Sequence, residues 1–199
     1  PSSFWVIAQI RKIIGRSVKV GHAGTLDPLA EGVLVVAVGR ESTKKISSEV
    51  NKEKEYIAEA FLGVESTTDD DEGEKTVINK DFQPSEEDIL RVLPKFKGEI
   101  MQRPPIFSAI KVGGKNAYLL ARKGKIQELK ERKVFIKDIK LLEYSYPTIK
   151  IKVETGPGVY IRSLARDIGR ELKTGAYMSG LIRTRVGDFK IEDAVKVEN

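Results

Sequence analysis

The chain has 199 residues, 40% of them apolar, and a formal charge of +6, with no cysteine and one histidine. That length supports one sizeable core without a linker-like stretch, and no apolar run is long enough to span a membrane, so a single cytoplasmic domain over residues 1–199 is expected. Without cysteine there is no disulfide, thiolate nucleophile or Cys-ligated zinc, and one histidine leaves little for a His metal site or a Ser-His triad, so enzyme chemistry narrows to carboxylate, Tyr, Lys or Arg groups.

Ser2 or Ser3 can cap a first helix whose apolar positions Val6, Ile7, Ile10, Ile13 and Ile14 fall at helical spacing, with Gly15 as its stop. Next comes the stretch around which the chain is organised: Gly21-His22-Ala23-Gly24-Thr25-Leu26-Asp27-Pro28-Leu29-Ala30-Glu31-Gly32, running into the apolar 33–38 and closed by Gly39. Asp27-Pro28 biases Asp27 away from the helical region, which places one carboxylate on a loop at the mouth of a strand expected to be buried on both faces. Asp27 either closes a turn or is a functional acid that needs a partner.

Residues 42–54 read as polar connector or short helix, and 55–62 as a strand with Tyr56, Ala58, Ala60 and Leu62 on one face. Tyr56 is either core or a ring with room for a flat ligand between small neighbours. The acidic run 65–74 reads as a solvated loop, with Mg²⁺ binding for phosphoryl or nuclease chemistry as its rival, although adjacent side chains diverge instead of converging on one ion. Ser85 caps a short helix ended by Pro94. Residues 102–111 contain a Pro-Pro entry and are followed by a Gly113-Gly114 hinge and a helix over 117–123, which together suggest a mobile arm.

Residues 132–146 and 148–154 read as two strands turning at Pro147, the second with Ile149, Ile151 and Val153 inward. After Gly156-Pro157-Gly158 comes a helix with Ile161, Leu164, Ala165, Ile168 and Leu172 on one face. Arg162 falls in its first turn, where the helix dipole disfavours a cation unless an anion answers it, so Arg162 calls for a carboxylate. Residues 186–191 read as a last strand. Charge is segregated: residues 49–90 hold 14 acidic and 4 basic side chains, and residues 91–140 hold 14 basic and 4 acidic. The basic block, interleaved with Phe107, Tyr118 and Phe135, is either a solvated face or a track for a polyanion.

Four separated stretches together resemble the catalytic domain of the TruB-type tRNA pseudouridine synthases. They are the aspartate motif 21–34; Lys54-Glu55-Tyr56 with Leu62-Gly63 and 70–73; 104–111 with Gly114, Tyr118, Ala121-Arg122 and Gly124; and 158–164 with Asp167, Gly169, Gly175-Ala176 and 181–183. The resemblance implies an α+β pseudouridine synthase fold: a bent, mixed, mainly antiparallel sheet flanked by helices, with a thumb-like RNA-binding insertion. It implies isomerisation of a T-loop uridine, in which the C1′–N1 bond breaks and a C5–C1′ bond forms. Asp27, Tyr56 and Arg162 would be catalytic, with Asp27 as nucleophile at C1′ or base at C2′ and Arg162 paired to it. His22, Gly24, Thr25, Asp70, Tyr160 and Leu181 would contact substrate. Arg103, Lys111, Lys115, Arg122 and Lys123 would grip RNA.

The same resemblance implies no cofactor or metal, a tRNA T-arm stem-loop as partner, and a monomer. The family's opening Lys-Pro motif and first strand would precede Pro1, and the small C-terminal PUA domain that bacterial members generally carry would follow Asn199. Thr155, Gly156, Val159 and Tyr177 depart from the usual Cys, Ser, Thr and His. The rival reading is a non-catalytic RNA-binding or RNA-folding module on the same scaffold.

Overall fold

A computed structural model of the chain describes residues 2–79, 81–125 and 128–197. Helix α1 (Ser3–Ile14) is capped by the Ser2 hydroxyl, which accepts from Trp5 N, and ends at Gly15 as its spacing predicts. Its apolar face is less covered than expected: Ile7 is buried, but Ile13 and Ile14 are exposed. Strands β1 (Val20–Ala23), β2 (Glu31–Gly32) and β3 (Val35–Val38) follow. The expectation of a strand buried on both faces over 33–38 is wrong, because β3 pairs only with β1, in a two-stranded ribbon, and alternates between buried and open positions. Helix α2 (Arg40–Val50) fills the stretch read as connector or short helix.

Strand β4 (Lys54–Leu62) shows strict alternation, with Tyr56, Ala58, Ala60 and Leu62 buried. The acidic run forms a hairpin of β5 (Val64–Ser66) and β6 (Lys75–Val77). Helix α3 (Glu86–Val92) has a full capping box between Ser85 and Asp88 and passes into a 3₁₀ turn at Leu93–Phe96, since Pro94 cannot continue the α-helical bonding. Strand β7 (Gly98–Gln102) leads into the arm, which holds the small hairpin β8 (Lys111–Val112) and β9 (Lys115–Asn116) and the one-turn helix α4 (Ala117–Ala121), two residues shorter than expected. Strands β10 (Arg132–Ser145) and β11 (Thr148–Thr155) turn at Pro147.

Helix α5 (Ile161–Glu171) is followed by β12 (Ala176–Val186) and β13 (Phe189–Lys190). The final strand expected over 186–191 is therefore misplaced: that stretch is the turn and short return of a hairpin, and the long strand precedes it. The main sheet runs β13-β12-β4-β11-β10-β7, with β2 added in parallel to β12. The other strand ladders among the described residues are antiparallel, so the sheet is mixed and mainly antiparallel, with register shifts in β10 and β12 of the kind that bend strands. Leu164 and Ile168 of α5 and its cap residue Leu172, with Ile89 and Val92 of α3, cluster against Ala58, Ala60, Ile149, Ile151 and Met178. The opposite edge of the same strands carries ion pairs, Lys150–Glu59 and Lys152–Glu55, as an antiparallel sheet with one wet face does. Tyr56 and the start of α5 thus lie at one end of this core, under the loop that joins β1 to β2.

Candidate active site

Asp27 sits on that loop. Gly24 adopts φ +80° just before it, and Ala30 N donates to Asp27 O (2.9 Å) to close the turn. Leu26 N donates to the Ser3 hydroxyl (3.0 Å), so α1 braces the loop from outside. Arg162 finds the carboxylate that its helix position calls for: Nη2 donates to Asp27 Oδ1 at 3.0 Å. The same guanidinium also donates from Nη1 to Asp70 Oδ2 (3.3 Å) and Thr68 O (3.3 Å), and from Nη2 to Phe107 O (3.1 Å). One buried cation therefore gathers the aspartate loop, the acidic hairpin and the root of the arm.

Asp70 is further held by the Thr68 hydroxyl and by Glu72 N, whereas Asp27 Oδ2 takes no hydrogen bond among the described residues. The side chain of Asp27 is 31% exposed against 6% for Arg162, so its open oxygen faces the mouth of the site. Burial pushes the Asp27 carboxyl above the usual carboxylate range; Arg162 opposes the shift and the nearby Asp70 adds to it. Asp69 and Asp70 correct the reading of 65–74 as a solvated loop. Asp69 pairs with Arg166 (2.7 Å) as Asp70 does with Arg162, and both aspartates are largely covered. This also removes them from the Mg²⁺ reading, since their oxygens are directed at guanidinium groups.

Tyr56 is buried in the same cluster as Leu181, with Leu29, Ala30 and Val159 packed against it. Burial raises its pKa and Arg183 counters that shift. Tyr160 precedes α5 and is clipped to Gln102, which donates from Nε2 to Tyr160 O (3.1 Å) and accepts from Tyr160 N (2.9 Å), while Arg132 lies over its ring at 5.1 Å. His22 meets Phe4 edge-on at 5.9 Å, its Nδ1 is buried without a hydrogen-bond partner among the described residues, and burial, with the Arg183 charge, holds it below the usual histidine range. Thr25 lies exposed on the rim.

The arm residues fall into two groups. Lys111, Lys115, Arg122 and Lys123 are exposed, with Arg122 over the Tyr118 ring at 5.7 Å. Arg103 is instead engaged by Glu131 (3.0 Å) and Glu128, and its carbonyl accepts from Ser163 and Arg166 on α5. Two residues of the site were not anticipated as such. Arg166 has a legible signal, one turn after Arg162 on the same helix. Arg183 lies in a strand that the alternation of apolar residues does not reveal.

A family model described as the TruB family pseudouridylate synthase N-terminal domain matches residues 11–161, and one described as the tRNA pseudouridylate synthase B C-terminal domain matches 162–199. The chain belongs to the TruB family. The boundary between the two matches falls inside α5, so Asp27 and Tyr56 come from the first segment while Arg162, Leu181 and Arg183 come from the second. Proteins named tRNA pseudouridine synthase B are similar to this TruB-family chain along nearly all of it. That of Phocaeicola vulgatus is 47% identical, covering 100% of this chain and 86% of its relative, and that of Desulfotalea psychrophila is 44% identical, covering 98% and 80%.

Among solved structures, a Cbf5-Nop10-Gar1 complex matches at TM-score 0.73 and 34% identity, over 96% of this chain and 46% of the other. An H/ACA RNP bound to a substrate RNA containing 2′-deoxyuridine matches at 0.69 and 32%, over 96% and 45%. The TruB-family chain thus spans slightly less than half the length of those proteins, and it shares with them the sheet that carries the site. Among the described residues no helix is long and apolar enough to cross a membrane.

Proposed function

We propose that this chain is a tRNA pseudouridine synthase that converts the T-loop uridine at tRNA position 55 to pseudouridine, acting as a monomer in the cytoplasm. The observation that carries the reading is the Asp27–Arg162 pair beside the buried cluster that holds Tyr56 and Leu181. Arg162 grips one carboxylate oxygen and leaves the other open. That oxygen is placed to attack C1′ or to take the C2′ proton as the C1′–N1 bond breaks. The free uracil then turns and bonds through C5 to C1′. The C5 proton leaves, N1 gains one, and the sum is an isomerisation that needs no redox partner or metal.

A stacked uridine cannot present C1′ to a recessed carboxylate, so the nucleotide must be flipped out at a cost of a few kcal/mol. The neutral His22 at the rim, beside Phe4, is suited to fill the vacated stack. Tyr56 would stack on the uracil and help remove the C5 proton, with Leu181 and Tyr160 beside it and Gly24 and Thr25 on the loop above. The exposed cations of the arm would hold stem phosphates.

The test is tritium release from a T-arm stem-loop carrying [5-³H]uridine, with chelator present. Release by the wild-type chain and none by Asp27→Ala is expected. No release from either chain while the stem-loop stays bound would overturn the reading in favour of a non-catalytic RNA-binding module.

A further inference from the structure

Arg183 is a second guanidinium beneath the site, and none of the roles described so far uses it. It is 2% exposed, one of the largest fully buried side chains described, and it pairs with no carboxylate among the described residues. Its donors instead go to the chain that carries Asp27. Nε donates to Val33 O at 2.8 Å and Nη2 to Gly24 O at 3.1 Å, which are the two ends of the loop that holds Asp27. The backbone adds to this grip, because Val33 N donates to Arg183 O at 2.8 Å and Gly32 lies against the backbone of Arg183 in the parallel pairing of β2 with β12. Tyr56 is the direct cross-strand partner of Arg183 in the β4–β12 register, so the two buried side chains leave the sheet on the same face.

We propose that Arg183 is a positioning residue for both halves of the reaction: it closes the Asp27 loop at both ends and fixes the Tyr56 hydroxyl through its oxygen. Guanidinium has donors and no acceptor. The Tyr56 oxygen is therefore the acceptor of this contact, and the hydroxyl's own proton points away from Arg183, free to leave to solvent before the oxygen takes the C5 proton. A cation at the phenol oxygen also favours the phenolate, the form able to take a proton, and it counters the burial that disfavours that form. Arg183 thus ties the group that starts the reaction at C1′ to the group placed to finish it at C5. The inference rests on the function proposed above.

The variants are Arg183→Lys, which keeps the charge but cannot reach both carbonyls and the phenol, and Tyr56→Phe, which leaves both carbonyl contacts in place. With a T-arm stem-loop carrying [5-²H]uridine, Arg183→Lys should lose about 10²-fold in kcat with KM nearly unchanged, since Arg183 sits below the surface that meets RNA. Both variants should show a larger deuterium isotope effect on turnover than wild type, because removal of the C5 proton has become slower. A residue that served folding alone would lower stability without enlarging that effect. An unchanged isotope effect in active Arg183→Lys would overturn the proposal, as would a loss confined to KM.

A third measurement needs neither activity nor a folded Arg183 variant. In the wild-type chain the guanidinium ¹⁵N resonances are compared with those of Tyr56→Phe. Loss of the phenol oxygen should shift the Nη signals of one buried, slowly exchanging arginine, and an unchanged set of arginine signals sinks the contact, even if wild-type inactivity were to defeat the functional reading.

Discussion

At the scale of single residues, the site is a problem of three charges: one buried guanidinium faces two carboxylates. Asp27 works in the proposed reaction only when ionised, and burial raises its pKa. Activity is then full above that raised value and is lost as pH falls through it, so the acid limb of kcat/KM should lie above the ordinary carboxylate range. Asp70→Asn removes a negative neighbour, which moves the limb to lower pH. The same change frees Arg162 Nη1 from one of its acceptors, so the plateau rate should fall by ~10-fold or more. A lower limb together with a lower plateau distinguishes this geometry from one in which Asp70 is a bystander, and pH–rate profiles of the two chains decide it. Arg162→Gln has the opposite sign on the limb and a further cost: it strands two acids beside the core. Urea unfolding should show a loss of about 3–5 kcal/mol, the range for breaking a buried ion pair from one side.

At the scale of elements, α5 is held against β12 closely enough that one methyl group matters. A Cβ at Gly169 would stand 2.3 Å from Ala176 N and 2.4 Å from Ala176 Cβ. In an exposed helix Gly→Ala gains about 1 kcal/mol. Here the helix would have to lift from the strand, carrying Arg162 with it, so Gly169→Ala should lower stability by about 1–3 kcal/mol. Chemical denaturation measures the sign, and a stabilised variant would show that α5 is free to shift. The same two elements show which parts of the fold are legible in sequence. The apolar face of α5, and the demand of Arg162 for an anion, are local patterns and appear in the structure as read. Strand β4 likewise displays its period of two. Strand β12 does not, because two register shifts break its alternation and a buried arginine stands where an apolar residue would be expected. The burial and pairing of Asp69 and Asp70 were illegible for another reason: the arginines that neutralise them lie 97 and 92 residues further along the chain.

At the scale of the whole molecule, the segregated charge resolves into two populations. Most basic residues of 91–140 outside the arm are answered by acids: Lys95 by Glu171, Lys97 by Asp138, Lys133 by Glu99, and Lys137 by Glu53 and Glu154. Such exposed pairs contribute little to stability, but they cancel the field that a count along the sequence implies. Within 91–140, the exposed cations without an acid partner among the described residues are those of the arm, Lys111, Lys115, Arg122 and Lys123, with Lys125 and Lys130. RNA affinity should therefore depend on a few arm residues and not on the net charge of the chain. Each phosphate neutralised contributes roughly one unit to the slope of log K against log salt. Lys111→Ala with Lys115→Ala should make that slope shallower by about two units and weaken stem-loop binding at low salt, while kcat at saturating RNA stays close to wild type. Lys133→Ala with Lys137→Ala, an equal change in net charge away from the arm, should leave the slope unchanged. Equal losses from both pairs in a filter-binding salt series would mean that RNA lies across the sheet as well as the arm.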